Sequence, residues 1–285
     1  MLRERIADNV YWFQSELYAQ VTAGVVMGTS WAVVIDTLAI PEETLAIRKF
    51  IEDSLQVPVR YIINTHYHAD HTWGNCLFPG ASVIAHELCR KYALEKNEPA
   101  LRAAQEDNPL YERTRLVYPN LTFDSGTFSL QVGKKHLKIF CTPGNSPDGI
   151  SVMVKEDRIL FAGDAFMPIP YIVEGDADQL ADTIRTIGKM SLENIVQGHG
   201  DIILRGEIEA ATRSNLNYLA NIKKITKAAA RMKDPSAKLQ AATVEACGKN
   251  RVILGGLVEE LHRRNLVALY QREANLPAGQ LKFNF

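Results

Sequence analysis

Short runs rich in Val, Ile, Phe and Thr recur along the first two thirds of the chain, separated by polar or glycine-containing segments. Runs of this length and composition are typical of β-strands, because a strand in a packed sheet buries one or both of its faces. The pattern predicts strands over residues 24–35, 59–64, 81–85, 127–132, 137–141, 150–154, 159–162 and 194–196. Several of these runs are close enough along the chain to form hairpins.

Apolar residues at helical spacing indicate a second type of element. Four of them share one helix face after Pro41, namely Ile47, Phe50, Ile51 and Leu55. Another helix is predicted over 178–190, and a polar insertion over 95–118 is expected to be helical and to shape a substrate entrance. After residue 206 the strand signals stop and helical patterns dominate, which indicates a helical extension.

The composition is that of an ordinary globular protein. Hydrophobic residues make up 46% and charged residues 23% of the 285 positions, which excludes disordered, collagen-like and coiled-coil chains. The 32 Lys and Arg residues are balanced by 33 Asp and Glu residues, for a net charge of −1. Because there is no excess of positive charge, we predict no nucleic-acid partner.

No segment predicts insertion into a membrane or export across one. The longest apolar stretch, over 25–35, is interrupted by Gly28 and Ser30 and is shorter than the roughly 20 residues that a membrane span needs. The first residues lack the apolar core and the cleavage site of a signal peptide. The four cysteines form no CxxC pair and are expected to be reduced thiols. We therefore predict a cytoplasmic protein that has no membrane partner.

Three of the seven histidines lie close together, in a segment that holds His66, His68, Asp70 and His71. This segment directly follows the predicted strand over 59–64, and side chains can converge where the backbone leaves a sheet. In an extended chain His66 and His68 share a face, whereas His71 can turn to a second position. Because imidazole nitrogens and carboxylate oxygens are zinc ligands, the segment predicts a metal site for one or two ions.

The same segment, His-Tyr-His-Ala-Asp-His, resembles the HxHxDH signature of the metallo-β-lactamase superfamily, which includes glyoxalase II-like and lactonase-like hydrolases. Two later segments support the resemblance in the same order: a Gly-Asp pair at Asp164 and a Gly-His-Gly segment at His199. The resemblance covers about residues 9–201. It implies an α/β fold, a four-layer αββα sandwich over 1–205 with a helical extension over 206–285 packed on it. It also implies that Asp164 bridges two metal ions and that His199 completes the second site.

One segment departs from the family pattern. The sequence Thr-Pro-Gly-Asn resembles the family's TPGH segment, but Asn145 stands where a histidine of the first metal site is expected. An amide oxygen binds zinc less strongly than an imidazole nitrogen does. The resemblance therefore implies one tight Zn²⁺ in the second site and a weaker one in the first, which keeps His66 and His68, with Asn145 as a weak or water-mediated ligand. Mn²⁺ and Fe²⁺ stay open as alternative metals.

The resemblance further implies a metal-dependent hydrolase that cleaves an ester, thioester, lactone or amide bond of a small molecule. Water on the metal has its pKa lowered toward about 7, and Asp70 is expected to orient that water or to pass a proton to the leaving group. Two alternatives stay open: an iron enzyme similar to persulfide dioxygenases, and a non-catalytic metal-binding protein of the same fold. The helical extension is expected either to line the entrance or to form a homodimer contact.

Aromatic residues that follow the predicted ligands closely are expected to bind the substrate. They are Tyr67, Trp73, Phe166 and Tyr171. Tyr171 can donate its hydroxyl group to a substrate carbonyl, and packing inside the protein is the alternative role for the same residue.

Overall fold

Two β-sheets form the centre of the protein, whose computed structural model describes residues 1–276. The strands of the first sheet are β1 (Leu2–Ala7), β2 (Val10–Gln14), β3 (Thr22–Met27), β4 (Ala32–Ile35), β5 (Val59–Ile63), β6 (Ser82–His86) and β7 (Leu121–Phe123). The strands of the second sheet are β8 (Thr127–Val132), β9 (Lys135–Cys141), β10 (Ile150–Val154), β11 (Ile159–Gly163), β12 (Asn194–Gln197) and β13 (Ile203–Leu204).

The strands pair in a simple order in both sheets. The first sheet runs from β1 to β7 in chain order, and the second runs β13-β12-β11-β10-β9-β8. Strands β4 to β7 pair in parallel, as do β11 and β12, whereas the remaining pairs are antiparallel. The parallel strands bring several carboxyl ends to one edge of the sandwich, where the chain can place functional side chains.

Helices cover the outer faces of both sheets. The α-helices of the described chain are α1 (Pro41–Lys49), α2 (Ala69–Thr72), α3 (Glu87–Tyr92), α4 (Glu98–Asp107), α5 (Ala177–Gly188), α6 (Ile208–Ala229), α7 (Ser236–Gln240) and α8 (Val258–Glu273). Helix α1 packs on the first sheet, and α5, α6 and α8 pack on the second. In the part of the chain that the structure describes, no helix is both long enough and apolar enough to cross a membrane.

The alternation of side chains along β4 shows why four layers form. Val33 and Ile35 point into the core between the two sheets, whereas Ala32 and Val34 pack toward α1. Successive residues of a strand face opposite sides, so an uninterrupted apolar strand is stable only when both of its faces are covered. The predicted four-layer αββα sandwich with carboxy-terminal helices is therefore confirmed.

Most of the predicted strands are present, with bounds shifted by a few residues. The prediction over 24–35 was wrong in one respect, because this run is two antiparallel strands, β3 and β4. The turn between them is closed by a hydrogen bond of 2.9 Å from the amide of Gly28 to the carbonyl of Trp31. Four strands within residues 1–276 were not predicted. Strand β1 is mostly polar and exposed, and β7 and β13 have only three and two residues, whereas β2 is a buried apolar run that the prediction missed.

The carboxy-terminal helices share a hydrophobic core with the second sheet. Leu160 and Ile195 of that sheet belong to the same buried cluster as Leu219 of α6 and Leu266 of α8. The division into a catalytic unit over 1–205 and an extension over 206–285 stays a prediction, and its last residues, 277–285, lie outside the described part of the chain.

Candidate metal centre

The predicted ligands follow the carboxyl ends of three strands. The segment from His66 to His71 follows β5, Asp164 follows β11, and His199 lies two residues beyond β12. Because β5 lies in one sheet and β11 and β12 lie in the other, the two sheets meet at this edge and bring the side chains together. The structure places these histidines and carboxylates in two adjacent groups.

The first group holds His66, His68 and Asp164, whose nearest nitrogen and oxygen atoms all lie within 4.8 Å of one another. His66 Nε2 lies 2.9 Å from His68 Nδ1 and 3.4 Å from Asp164 Oδ2. Burial lowers the pKa of His68 to about 3, so its imidazole is neutral near pH 7. A neutral imidazole keeps the lone pair that a metal ion needs.

The second group holds Asp70, His71 and His199. His199 Nε2 lies 3.4 Å from Asp70 Oδ2 and 3.6 Å from Asp164 Oδ1, and His71 Nε2 lies 3.4 Å from the same Asp164 oxygen. Ligand atoms on a tetrahedral zinc ion lie about 3.4 Å apart, given metal–ligand distances of about 2.0 to 2.2 Å. The spacing of these four groups therefore fits one ion.

Asp164 presents one carboxylate oxygen to each group. Its Oδ2 faces His66, and its Oδ1 faces His71 and His199. Gly198 permits this position, because a Cβ atom on that residue would lie 2.0 Å from Asp164 Oδ1. The glycine of the Gly-His-Gly segment is therefore explained by the close approach of the carboxylate, and the arrangement matches a carboxylate that bridges two ions.

Two buried polar atoms, one in the second group and one on the neighbouring Asp164, support a cation there. His71 Nε2 and Asp164 Oδ1 are buried and have no hydrogen-bond partner among residues 1–276. A buried polar atom without a partner costs free energy, unless an ion or a water molecule satisfies it. These two atoms lie 3.4 Å apart, so one metal ion can bind both. The residues present thus fit a divalent metal ion.

The charges of the centre also favour a cation. Burial by itself would raise the pKa of Asp164, but the neighbouring His199, His66 and His71 hold it well below its usual range. The pKa of Asp70 is lowered as well, since His71 and His199 outweigh the opposing effect of burial. Both carboxylates are therefore ionised, and a metal ion would compensate their negative charge.

A second set of contacts holds the far nitrogen of each histidine ring. His71 Nδ1 lies 2.8 Å from Asp36 Oδ2, and His199 Nδ1 lies 2.9 Å from the carbonyl oxygen of Ala19. These contacts orient the rings so that Nε2 faces the centre. Asp36 was not predicted, although a polar residue at the carboxyl end of β4 is the same kind of signal that located the histidine segment.

The remaining two rings are held by a hydroxyl and a carboxylate. His66 Nδ1 lies 3.1 Å from Thr65 Oγ1, and His68 Nε2 lies 3.6 Å from Glu174 Oε2. Thr65 is itself fixed, because its amide and its hydroxyl both donate to the carboxylate of Asp36, at 2.8 and 2.7 Å. Asp36 therefore supports both groups of the centre.

Asn145 is buried on the loop between β9 and β10. Its Nδ2 donates to the carbonyl oxygen of Tyr171 at 3.0 Å, and its Oδ1 has no hydrogen-bond partner within residues 1–276. The amide oxygen therefore keeps its full acceptor capacity, which a weak or water-mediated ligand needs. That role stays a prediction.

The two groups open into a cavity of about 410 Å³. The predicted helical insertion contributes Lys96, Asn97 and Ala100 to its wall. The carboxy-terminal segment contributes three further residues, Leu257, Leu261 and Arg264. The structure therefore places the helical extension at the entrance, which is one of its two expected roles, while the expected dimer contact stays a prediction.

Two of the four predicted substrate-binding aromatics line the cavity. They are Tyr67 and Tyr171, and the Tyr67 hydroxyl accepts a hydrogen bond of 2.9 Å from Lys96 Nζ. Trp73 and Phe166 are not among the lining residues. Trp73 is buried against the ring of Tyr111, and Phe166 belongs to the core below the second sheet, because apolar rings that follow a strand end can turn inward as readily as outward.

Sequence comparison places the chain in a known family. The family model described as the metallo-beta-lactamase superfamily matches residues 19–224. Acyl-coenzyme A thioesterase MBLAC2 of Homo sapiens is 24% identical in an alignment 243 residues long that covers 76% of this chain and 84% of that protein. Thioesterase pkgB of Emericella nidulans is 25% identical in an alignment 179 residues long that covers 61% of this chain and 44% of that protein. The chain spans about half the length of two of the curated relatives that it matches.

Structural comparison gives the same result for the fold. A metallo-beta-lactamase from Pontibacter korlensis superimposes with a TM-score of 0.63 at 20% identity and covers 77% of this chain and 99% of its own. A metallo-beta-lactamase family protein from Thermus thermophilus gives a TM-score of 0.70 at 16% identity and covers 95% of both chains. At these identities the likeness concerns the fold alone.

Proposed function

Because this chain belongs to the metallo-beta-lactamase superfamily, we propose that it is a metal-dependent hydrolase of thioesters. The observation that carries the proposal is the pair of histidine–carboxylate groups that share Asp164 and open into one cavity. Two relatives whose names describe thioesterases support the choice of thioesters over other acyl compounds. In the proposed reaction, water adds to the thioester carbon, the carbon–sulfur bond breaks, and a carboxylic acid and a thiol are formed.

We assign the ligands as two sets. His66, His68 and Asp164 would hold the first ion, and Asp164, with the remaining three residues Asp70, His71 and His199, would hold the second. The proposed metal is Zn²⁺, for which imidazole and carboxylate ligands are suitable, with Mn²⁺ and Fe²⁺ as alternatives. When bound, such an ion lowers the pKa of water from 15.7 toward about 7 and polarises a carbonyl oxygen.

The protein's own groups would position the reactants. Asp70 is ionised and partly exposed to the cavity, so it can orient a water molecule and pass its proton to the leaving thiolate. Tyr67 and Tyr171 form part of the wall against which the thioester would lie. Since the cavity excludes part of the solvent, these polar contacts are stronger than they would be in bulk water.

The two ions are proposed to bind with different affinities. The second site has four protein ligands, whereas the first has three and the amide of Asn145 where an imidazole would bind more tightly. We expect elemental analysis after stepwise chelation to give one tightly held and one weakly held equivalent. Two equivalents of equal affinity would contradict this part of the proposal.

The proposed activity is tested with thioesters, lactones, β-lactams and phosphodiesters in the presence of zinc, manganese or iron. We expect thioester hydrolysis to be fastest and to be lost in Asp70→Ala and His199→Ala. The matched controls are Asp53→Ala and His136→Ala, whose side chains are exposed and do not line the cavity. Unchanged turnover in either centre variant would refute the assigned roles. Iron in the protein as purified, together with oxygen uptake on a persulfide substrate, would favour a dioxygenase instead. Protein that holds no metal and turns over no substrate would favour a non-catalytic role.

A further inference from the structure

The carboxy-terminal segment presents a stripe of three side chains to the cavity. Leu257 directly precedes α8, and Leu261 and Arg264 lie on that helix, four and seven residues after Leu257. Residues at these spacings lie on one helical face, so the cavity meets an apolar surface that ends in a guanidinium group. The stripe extends for about 10 Å, given a rise of about 1.5 Å per residue.

Arg264 keeps hydrogen-bonding capacity at this position. Its Nε donates to Glu260 Oε1 at 2.8 Å, and its two terminal nitrogens donate to no residue within the described range. Glu260 is also in contact with Arg263, so one carboxylate is shared by two guanidinium groups. The side chain of Arg264 is 57% exposed. Glu260 therefore compensates only one of the two positive charges, and the free end of Arg264 is accessible to a ligand.

The other cation of the cavity wall is already engaged. Lys96 Nζ lies 2.9 Å from Glu174 Oε2 and donates to the Tyr67 hydroxyl at the same distance. An ammonium group paired in this way has one donor left, whereas a guanidinium offers a planar pair of donors that match a carboxylate or a phosphate. Arg264 is therefore the better candidate for binding an anion in this cavity.

The stripe is held at a fixed position relative to the metal centre. Asn265 is buried, accepts a hydrogen bond of 2.9 Å from the amide of Ile172, and donates to the carbonyl of Pro170 at 2.8 Å. Arg272 donates to the carbonyls of Ile172 and Gly175, at 3.1 and 2.9 Å. The loop that these bonds fix is the one that follows Asp164 and carries Tyr171 and Glu174 into the cavity. A site on such a supported helix can select between ligands.

We propose that this stripe selects the substrate: Leu257 and Leu261 contact an apolar part of the thioester, and Arg264 pairs with an anionic group that the same molecule carries. The inference rests on the proposed function and narrows it to amphiphilic, negatively charged thioesters. The anionic group is a carboxylate or a phosphate, and it is carried either by the thiol part or by the acyl part of the substrate.

Binding of uncleavable thioethers tests the proposal without requiring turnover. Calorimetry on the zinc-loaded protein compares three ligands: S-hexyl-coenzyme A, which is charged on the thiol side; a carboxyhexyl thioether of N-acetylcysteamine, which is charged on the other side; and the uncharged S-hexyl-N-acetylcysteamine. In Arg264→Gln we expect the Kd of one charged ligand to rise about tenfold relative to that of the uncharged one. The ligand that responds identifies the part of the substrate that carries the anion.

Arg263→Gln is the matched control, because Arg263 shares Glu260 but does not line the cavity. The proposal is overturned if neither ratio changes in Arg264→Gln, or if Arg263→Gln changes the same ratio equally, which would indicate a general effect of charge. Absence of thioester hydrolysis in the wild type would refute the proposed function, while the binding ratios would still decide the role of Arg264.

The proposed apolar contact of Leu257 and Leu261 is tested by varying the length of the ligand's alkyl chain. Leu261→Ala is expected to reduce the preference for a hexyl over a methyl thioether about fivefold, because the apolar contact with the chain is lost. Val252→Ala, at an exposed position outside the cavity, is the control. An unchanged preference in Leu261→Ala, and in Leu257→Ala measured beside it, would exclude the apolar part of the proposal.

Discussion

At the scale of single residues, the centre depends on side chains that contact the histidine rings from behind, on the nitrogen opposite the ligand atom. Asp36 contacts Nδ1 of His71 and accepts two hydrogen bonds from Thr65, whose hydroxyl in turn contacts His66. Removing the charge of Asp36 would therefore loosen rings in both groups at once. Such outer contacts contribute to metal affinity because they fix the tautomer and the direction of the ligand atom.

We predict that Asp36→Asn weakens zinc binding by about 10- to 100-fold, since the amide keeps the shape of the side chain but not its charge. Competition with a chelating dye measures the change. Asp53→Asn, at an exposed position, is expected to bind zinc as the wild type does. A dissociation constant within about twofold of the wild type in Asp36→Asn would show that the contact with His71 has no such role.

Lys249 is a second residue whose environment has a measurable consequence. Its Nζ donates to Asn215 Oδ1 at 2.6 Å, and no carboxylate lies within 4 Å of it in the described part of the chain. Burial lowers the pKa of Lys249 to about 7 from its usual 10.5. Between these two values the unfolded chain binds a proton that the folded chain does not, so stability rises with pH across this window. Below pH 7 Lys249 is protonated in both states, so the folded state carries the full cost of burying its positive charge.

We expect this rise to be absent in Lys249→Met. Urea unfolding of both proteins is measured at pH 6.5 and pH 9.5. Between these pH values the free energy of unfolding of the wild type should increase by about 2 kcal/mol more than that of the variant, an amount that allows for partial exposure of the side chain. Loss of the Asn215 contact affects both pH values equally and cancels in the comparison. Parallel pH profiles for the two proteins would contradict the assigned pKa.

At the scale of elements, α8 positions a loop that the sheets alone would not fix. The Asn265 side chain accepts a hydrogen bond from the amide of Ile172 and donates one to the carbonyl of Pro170, two loop groups that form no hydrogen bond within a strand or helix. Its Nδ2 also contacts the Tyr218 hydroxyl at 3.1 Å. Backbone groups buried outside regular structure need such partners, because water cannot reach them. The helix therefore serves both as a wall of the cavity and as the support of the opposite loop.

Asn265→Ala is expected to lower the free energy of unfolding by about 2 to 3 kcal/mol, because it leaves buried polar groups of the loop without partners. Urea denaturation measures this loss. Asn217→Ala, at an exposed position of α6, should change stability by less than about 0.5 kcal/mol. Equal stability of the two variants would show that water or another group replaces the Asn265 side chain.

At the scale of the whole molecule, the second sheet depends on the carboxy-terminal helices for its outer layer. Leu160 and Ile195 lie in one cluster with residues from α6 and α8, among them Tyr218 and Val258. Without these helices the cluster would face solvent on one side. An exposed apolar surface of this size favours aggregation over folding.

We therefore predict that a variant ending at residue 205 does not unfold cooperatively and binds hydrophobic dyes, whereas the 285-residue chain unfolds in a cooperative thermal transition. Circular dichroism and dye fluorescence measure both properties. A soluble 1–205 chain with a cooperative transition and bound zinc would show that the two sheets fold without the extension.

Most of the strands, and the chemistry at their ends, could be predicted from the sequence alone. Short apolar runs and the imidazole and carboxylate groups of His66 to His71, Asp164 and His199 are local properties, so they can be identified without knowing which segments meet. Strand β1 was missed because its exposed side chains leave no apolar signal, whereas β2 has such a signal and was overlooked.

How these parts combine is set by the tertiary structure. It assigned one oxygen of Asp164 to each group, brought Asp36 and Glu174 behind the histidines, and placed Arg264 at the cavity. It also turned Trp73 and Phe166 inward. Each of these outcomes depends on contacts between segments far apart in the chain, and such contacts follow from the packing of the two sheets and their helices, which no local pattern specifies.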